Sequence, residues 1–160
     1  MIKIFVMDVD GTLTDGKIYM GNSGEVMKAF NIKDGYGIHD ILPIYKIVPV
    51  IITGRTSVIT ENRCKELGIT QIYQGVHDKI EQLQQVLKEL DCSFHEVAYI
   101  GDDMNDYFCM NMVKAKGGVI GCPYDAIDDV KKLADFVSEY SGGYGAVRDM
   151  IEWVISKNIY

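Results

Sequence analysis

The chain of 160 residues contains no apolar run longer than the six residues from Ile47 to Ile52, which themselves include Pro49. A membrane-spanning helix needs about 20 such residues, so none is expected. From Met1 the chain passes through strand-like Ile4, Phe5, Val6 and Met7 directly to Asp8, without an apolar signal region followed by a small-residue cleavage site. The expected location is therefore the cytoplasm. Basic residues are in deficit, 16 against 23 acidic ones, for a net charge of −7. Such a surface repels polyanions, which argues against nucleic acid as a partner. Cys64, Cys92, Cys109 and Cys122 lie 28, 17 and 13 positions apart with no C-x-x-C pair, so zinc and dithiol redox motifs are excluded and buried, reduced thiols are expected. No stretch rich in Pro, Gly or Ser marks a linker, and the length suits one domain, 1–160, with a single sizeable core.

What is present is an alternation of strand-like and helix-like segments, the pattern of a doubly wound, mainly parallel α/β sheet of Rossmann-like form. Strands are expected at Ile2–Met7, Ile47–Ile52, Ile72–Tyr73, Val97–Ile100, Val119–Ile120 and Phe136–Val137. Helices are expected at Gly37–Tyr45, Ser57–Leu67, Lys79–Leu90, Asn105–Val113, Ala126–Leu133 and Ala146–Ile155. The clearest is the third, where Ile80, Leu83, Val86, Leu87 and Leu90 form one stripe at helical spacing. One segment interrupts the alternation: Lys17–Met20 and Val26–Asn31 flank Gly21-Asn22-Ser23-Gly24, a tight reversal, which predicts a β-hairpin flap over about 17–31.

In parallel α/β sheets ligands bind beyond the carboxyl ends of the strands. Polar residues follow the apolar runs at Asp8-Val9-Asp10-Gly11-Thr12, at Thr53-Gly54-Arg55 and at Gly101-Asp102-Asp103-Met104-Asn105-Asp106, while Lys79 opens the third helix. Carboxylates gathered at one rim repel each other unless a cation neutralises them, and a hard divalent ion such as Mg²⁺ with oxygen ligands meets that need. Asp8 and Asp102, a backbone carbonyl and waters would hold the ion and leave a position for a phosphate oxygen. Thr53 and Lys79 would hold other phosphoryl oxygens, and Asp8 would be the nucleophile. A calcium-loop reading of the first segment fails, because Leu13 and Tyr19 stand where an EF-hand requires Gly and Glu. His39, His77 and His95 show no metal-ligand spacing.

These residues resemble the four motifs of the haloacid dehalogenase superfamily of phosphotransferases: Asp8 to Thr14 the first, Thr53 the second, Lys79 the third, and Gly101-Asp102-Asp103 with Asn105-Asp106 the fourth. The resemblance implies that Asp8 attacks phosphorus to give an aspartyl phosphate, and that Asp10 first protonates the leaving alkoxide and then deprotonates water. It further implies that Asp8, Asp102 and the Asp10 backbone oxygen bind Mg²⁺, with Asp103 and Asp106 acting from behind. Only 37 residues separate Asp15 from Thr53, 25 separate Thr53 from Lys79 and 22 separate Lys79 from Asp102, leaving no room for an inserted cap domain. A neighbouring subunit is then expected to cover the rim.

Gly54-Arg55-Thr56-Ser57, Arg63-Cys64-Lys65-Glu66-Leu67-Gly68, Tyr73-Gln74-Gly75-Val76 and Gly142-Gly143-Tyr144-Gly145 resemble the capless subgroup of 3-deoxy-D-manno-octulosonate 8-phosphate phosphatases. That subgroup includes relatives acting on nonulosonate 9-phosphates and domains fused to acylneuraminate cytidylyltransferases. The resemblance implies a small phosphorylated sugar acid as substrate and a homotetramer assembled through the flaps. Arg55 and Arg63 are the guanidinium groups expected to meet the sugar acid, with Thr12, Gly54 and Asn105 completing the substrate-facing set; a helix-surface ion pair is the other reading of Arg63. The chain stops at Tyr160, where octulosonate phosphatases carry a longer tail, and Lys17, Tyr19 and Lys28 on the hairpin are candidates to compensate. Two other functions are weighed: a phospho-receiver domain, which the position of Thr53-Gly54 after the second long strand disfavours, and a non-catalytic oligomerisation module.

Overall fold

Alternate side chains of the first strand serve opposite faces of the sheet. Phe5 and Met7 enter one apolar cluster and Ile4 and Val6 the other. The computed structural model describes residues 1–157. Its strands are β1 (Ile4–Met7), β2 (Tyr19–Gly21), β3 (Gly24–Met27), β4 (Val48–Ile52), β5 (Gln71–Tyr73), β6 (Val97–Ile100), β7 (Val119–Cys122) and β8 (Phe136–Val137). Six form one sheet in the order β5-β4-β1-β6-β7-β8, every neighbouring pair parallel. The helices are α1 (Ile32–Tyr36), α2 (Leu42–Ile44), α3 (Val58–Glu66), α4 (Lys79–Glu89), α5 (Met104–Ala115), α6 (Asp128–Leu133) and α7 (Ala146–Ser156), with a π-helical turn at Gly37–Ile41 between the first two. Residues of the α1–α2 region, α3 and α7 pack on one face of the sheet, and residues of α4, α5 and α6 on the other. The doubly wound α/β architecture expected from the alternation is the one observed. Among the described residues no helix is long and apolar enough to cross a membrane.

Pro49 lies in β4, a strand flanked on both sides, although proline cannot donate to a ladder. The conflict is resolved by register: β4 pairs with β1 from Val48 onward, but with β5 only from Val50, so Pro49 precedes the second ladder.

The hairpin forms as β2 and β3 around Asn22-Ser23, but its second strand ends at Met27, not Asn31. Asn31 instead caps α1, its side chain accepting from the Lys33 N–H at 2.8 Å. Helical structure thus begins at Ile32 and not at the expected Gly37. Gly35 discourages a helix locally, yet the packing demands it, because a Cβ there would sit 2.6 Å from the Arg63 Nη2. Elsewhere the boundaries shift by small amounts: β1 starts at Ile4, β7 continues to Cys122, α5 runs from Met104 to Ala115 and α6 starts at Asp128.

The first turn of α7 depends on a cap from another helix. Its N-cap residue, Gly145, has no side chain to accept the free N–H groups. Asp34 of α1 supplies the acceptor, its Oδ1 lying 2.8 Å from the Arg148 nitrogen, and the Gly145 and Val147 amides also favour its charge. Burial pushes this carboxyl up to about 6 in spite of those donors. Replacing Asp34 by Ala is expected to lower unfolding stability by roughly 1–2 kcal/mol, the usual scale for a lost cap; urea denaturation showing no loss would refute the capping role.

Candidate active site

Asp8 follows β1 at the centre of the sheet, with β4 and β6 as its neighbours, so residues after these three strands meet at one rim. Asp8 is buried, and its backbone N–H donates to the Ile100 carbonyl at 3.2 Å. Lys79, the first residue of α4, is aimed inward because Asp78 caps that helix, accepting from the Ile80 and Glu81 amides at 3.0 Å each. Its ammonium lies 2.9 Å from Asp8 Oδ1 and 2.7 Å from Asp106 Oδ1. Asp106 is fully buried and accepts also from the Tyr99 hydroxyl at 2.9 Å and, through Oδ2, from the Asp102 amide at 3.1 Å. Thr12 donates to Asp102 Oδ1 at 2.8 Å. Thr53 is buried at the end of β4, its backbone held by the Tyr73 carbonyl and the Val76 amide.

A loop from far along the chain braces the one that carries Asp10. A Cβ on Gly142 would fall 1.9 Å from the Gly11 carbonyl oxygen, and the Gly143 amide donates to the Thr12 carbonyl at 3.1 Å. Only glycine permits this approach of two backbones.

The electrostatics are those of too many carboxylates for one ammonium. Burial first, and then Asp106, push the Asp8 carboxyl up to about 7, against the pull of Lys79. Burial, Asp8 and Asp106 push Asp102 up to about 8. Burial opposes the charge on Lys79, but Asp106 and Asp8 more than offset it, so its pKa is raised and it remains an ammonium. One oxygen each of Asp8, Asp102 and Asp106 lie within 4.8 Å of one another, close enough to share an ion. The donors distinguish among the three. Both oxygens of Asp106 are already engaged, by Lys79 and Tyr99 on one side and the Asp102 amide on the other. Asp8 and Asp102 each engage only Oδ1 among these contacts. A hard divalent cation therefore fits Asp8 and Asp102, with Asp106 orienting Lys79.

Asp10 belongs to a different group of charges. Its Oδ1 pairs with Lys28 beyond β3 and lies 3.8 Å from Arg55 Nη1. Glu25 of β3 completes this set, 2.9 Å from Lys28, 3.3 Å from Arg55 and 2.6 Å from the Ser57 hydroxyl. The other expected residues are spread more widely. Gly54 lies between Thr53 and Arg55 with the Val76 carbonyl 3.7 Å from where a Cβ would be. Asn105 is exposed on the first turn of α5, where it lines with His77, Lys79 and Phe108 an open groove of about 410 Å³. Asp103 caps α5, accepting from the Met104 amide at 2.6 Å. Arg63 contacts Glu66 at 2.8 Å and stacks over Phe30, so its partners are those of a helix ion pair and not the carboxylate cluster.

Tyr99 and Glu25 were not anticipated. A lone tyrosine in a wholly buried strand needs a partner for its hydroxyl, and the spacing of Glu25 and Lys28 admits a salt bridge; only the fold identifies what each one meets.

Residues 64–151 match the family model of the haloacid dehalogenase-like hydrolases. The chain is 42% identical over 154 residues to the 3-deoxy-D-manno-octulosonate 8-phosphate phosphatase of Escherichia coli, covering 96% of this chain and 79% of that protein. The crystal structure of the Yersinia pestis phosphatase of the same name superposes with a TM-score of 0.89 at 41% identity, over 99% of this chain and 83% of that one. The Moraxella catarrhalis phosphatase, solved in complex with magnesium ion, phosphate ion and KDO, gives a TM-score of 0.89 at 37% identity, over 97% and 86% of the two chains.

The raised carboxyls carry a stability signature. Asp8 and Asp102 retain protons in the folded, cation-free chain that the unfolded chain releases near pH 4, so the folded state binds more protons between about pH 4 and pH 7–8 and loses stability as pH rises through that window. The unfolding free energy of the chelator-treated protein is expected to fall between pH 5.5 and 7.5, by about 1 kcal/mol per pH unit for each proton retained. Asp102→Asn should flatten the slope; a wild-type slope of zero would contradict the assignment.

Proposed function

Because this chain belongs to the haloacid dehalogenase-like hydrolases and is a phosphoric monoester hydrolase, we propose that it hydrolyses the phosphate ester of a 2-keto-3-deoxy sugar acid, 3-deoxy-D-manno-octulosonate 8-phosphate in the first instance. The observation that carries this reading is the buried Asp8 carboxylate beside Asp102 and the Lys79 ammonium, at the mouth of a parallel sheet. Asp8 attacks phosphorus as the bond to the sugar oxygen breaks, and Asp10 gives its proton to the departing alkoxide. Asp10, now ionised, takes a proton from the water whose oxygen attacks the aspartyl phosphate; inorganic phosphate leaves and both carboxyls return to their starting states. Lys79 and Thr53 balance the charge on the phosphoryl oxygens. Asp106 and Tyr99 hold Lys79 in place for that task.

Asp8, Asp102 and the Asp10 carbonyl would hold Mg²⁺, the ion named with the Moraxella catarrhalis phosphatase. When bound, it supplies positive charge that ionises Asp8 and Asp102 and polarises a phosphoryl oxygen. Arg55 is the cation best placed for the acidic end of the sugar, 42% exposed beside Asp10. The chain works as a homotetramer in the cytoplasm, a reading supported by exposed Ile18, Met20, Val26 and Met27 on the hairpin and by four free cysteines.

Phosphate release from octulosonate 8-phosphate is expected to require Mg²⁺, to cease on chelation, and to fall by about 10⁴-fold or more in Asp8→Asn, the scale for loss of a nucleophile. Chelator-insensitive turnover, or an active Asp8→Asn protein, would reject the mechanism; faster turnover of a nonulosonate 9-phosphate would reassign the sugar. Light scattering is expected to give four subunits, and a monomer at working concentration would defeat the assembly.

A further inference from the structure

We propose that Lys28, on the segment leaving the flap, is a positioning residue for Asp10, and that the flap is latched onto the acid–base carboxyl of its own chain. The inference rests on the assignment of Asp10 as the proton donor and acceptor made above.

The hairpin is otherwise an open element: Met20 is 63% exposed, Val26 59% and Met27 50%. Lys28 runs the other way, its side chain only 2% exposed. A lysine at a surface turn ordinarily keeps its ammonium in water, and burying it is costly unless anions meet it. Here two do, Asp10 and Glu25, and Glu25 is tied to α3 through the Ser57 hydroxyl at 2.6 Å. Ser57 is in turn the N-cap of α3, and its amide donates to Gln74 at 2.9 Å. The flap is thereby anchored to the segment that also carries Thr53 and Arg55.

The consequence for Asp10 lies in which oxygen is used. Lys28 and Arg55 both address Oδ1, and no partner engages Oδ2 among the described residues. Two cations on one oxygen fix the plane of the carboxyl and leave the other oxygen for the proton that goes to the alkoxide. Removing Arg55 would leave the buried contact; removing Lys28 takes away the one that is shielded from water.

The leaving group separates this role from a merely structural one. An alkoxide needs the Asp10 proton, whereas p-nitrophenolate departs without it; hydrolysis of the aspartyl phosphate needs Asp10 with either substrate. Lys28→Met is expected to lower kcat on octulosonate 8-phosphate by about 10²-fold with KM within threefold, the low end for impaired acid–base catalysis. On p-nitrophenyl phosphate it should show a burst of one nitrophenolate per subunit followed by slow turnover. Lys28→Arg should restore most of kcat. Lys28→Gln, judged by the same criteria, takes its place if Lys28→Met does not fold. Equal losses on the two substrates without a burst, a rise in KM alone, or unchanged kcat would overturn the proposal. If wild type ignores octulosonate 8-phosphate but cleaves another alkyl phosphate, the sugar assignment fails, and the same contrast measured with that ester still decides the role of Lys28.

Discussion

Three carboxylates and one ammonium at the end of a parallel sheet, all but the half-buried Asp102 buried, set the terms for everything around them. In a site shielded from water each uncompensated charge is expensive, and Lys79 can satisfy only part of the demand. The fold meets the cost unevenly. Asp106 receives three donors, which secures its place and that of Lys79, while Asp8 and Asp102 are left with protons to hold or a cation to bind. The uneven sharing is what makes the site useful: a carboxylate with all its oxygens engaged would be a poor nucleophile and a poor ligand.

Asp8 and Asp10 are two residues apart in sequence and belong to different electrostatic groups. Asp8 faces Lys79 beneath the rim; Asp10 faces Lys28, Arg55 and the flap. Separate environments suit two chemically identical side chains to the different parts proposed for them. The chain reverses sharply between them and the following loop, and the glycine pair at 142–143 holds that reversal from outside. In a protein without an inserted cap, the flap is the element able to reach the site from above, and it does so through Glu25 and Lys28 of the same chain.

Much of this was readable in advance, for physical reasons. Apolar runs ended by Asp, Thr or Gly-Asp-Asp mark strands with chemistry at their tips, and the doubly wound order follows from alternating strand and helix signals. The Asn22-Ser23 reversal identified the hairpin because so few turns suit two strands. The reading failed where a local preference met a distant contact. The helix expected from Gly37 begins at Ile32, and Gly35 sits within it to admit the Arg63 guanidinium. Arg63, for which a sugar-acid contact and a helix ion pair were both open, meets Glu66 and Phe30 in the fold.

Composition and motif order by themselves determined the fold class, the rim of the sheet and the residues that gather there, because those depend on periodicity and on where each strand ends. Tertiary structure alone decided that Asp106 serves Lys79, that Tyr99 donates to Asp106, that Asp34 caps a helix more than a hundred residues away, and that Lys28 pairs with Asp10. Each of those facts joins side chains from separate elements, and a hydrogen bond or ion pair is set by distances of about 3 Å that no one-dimensional pattern encodes.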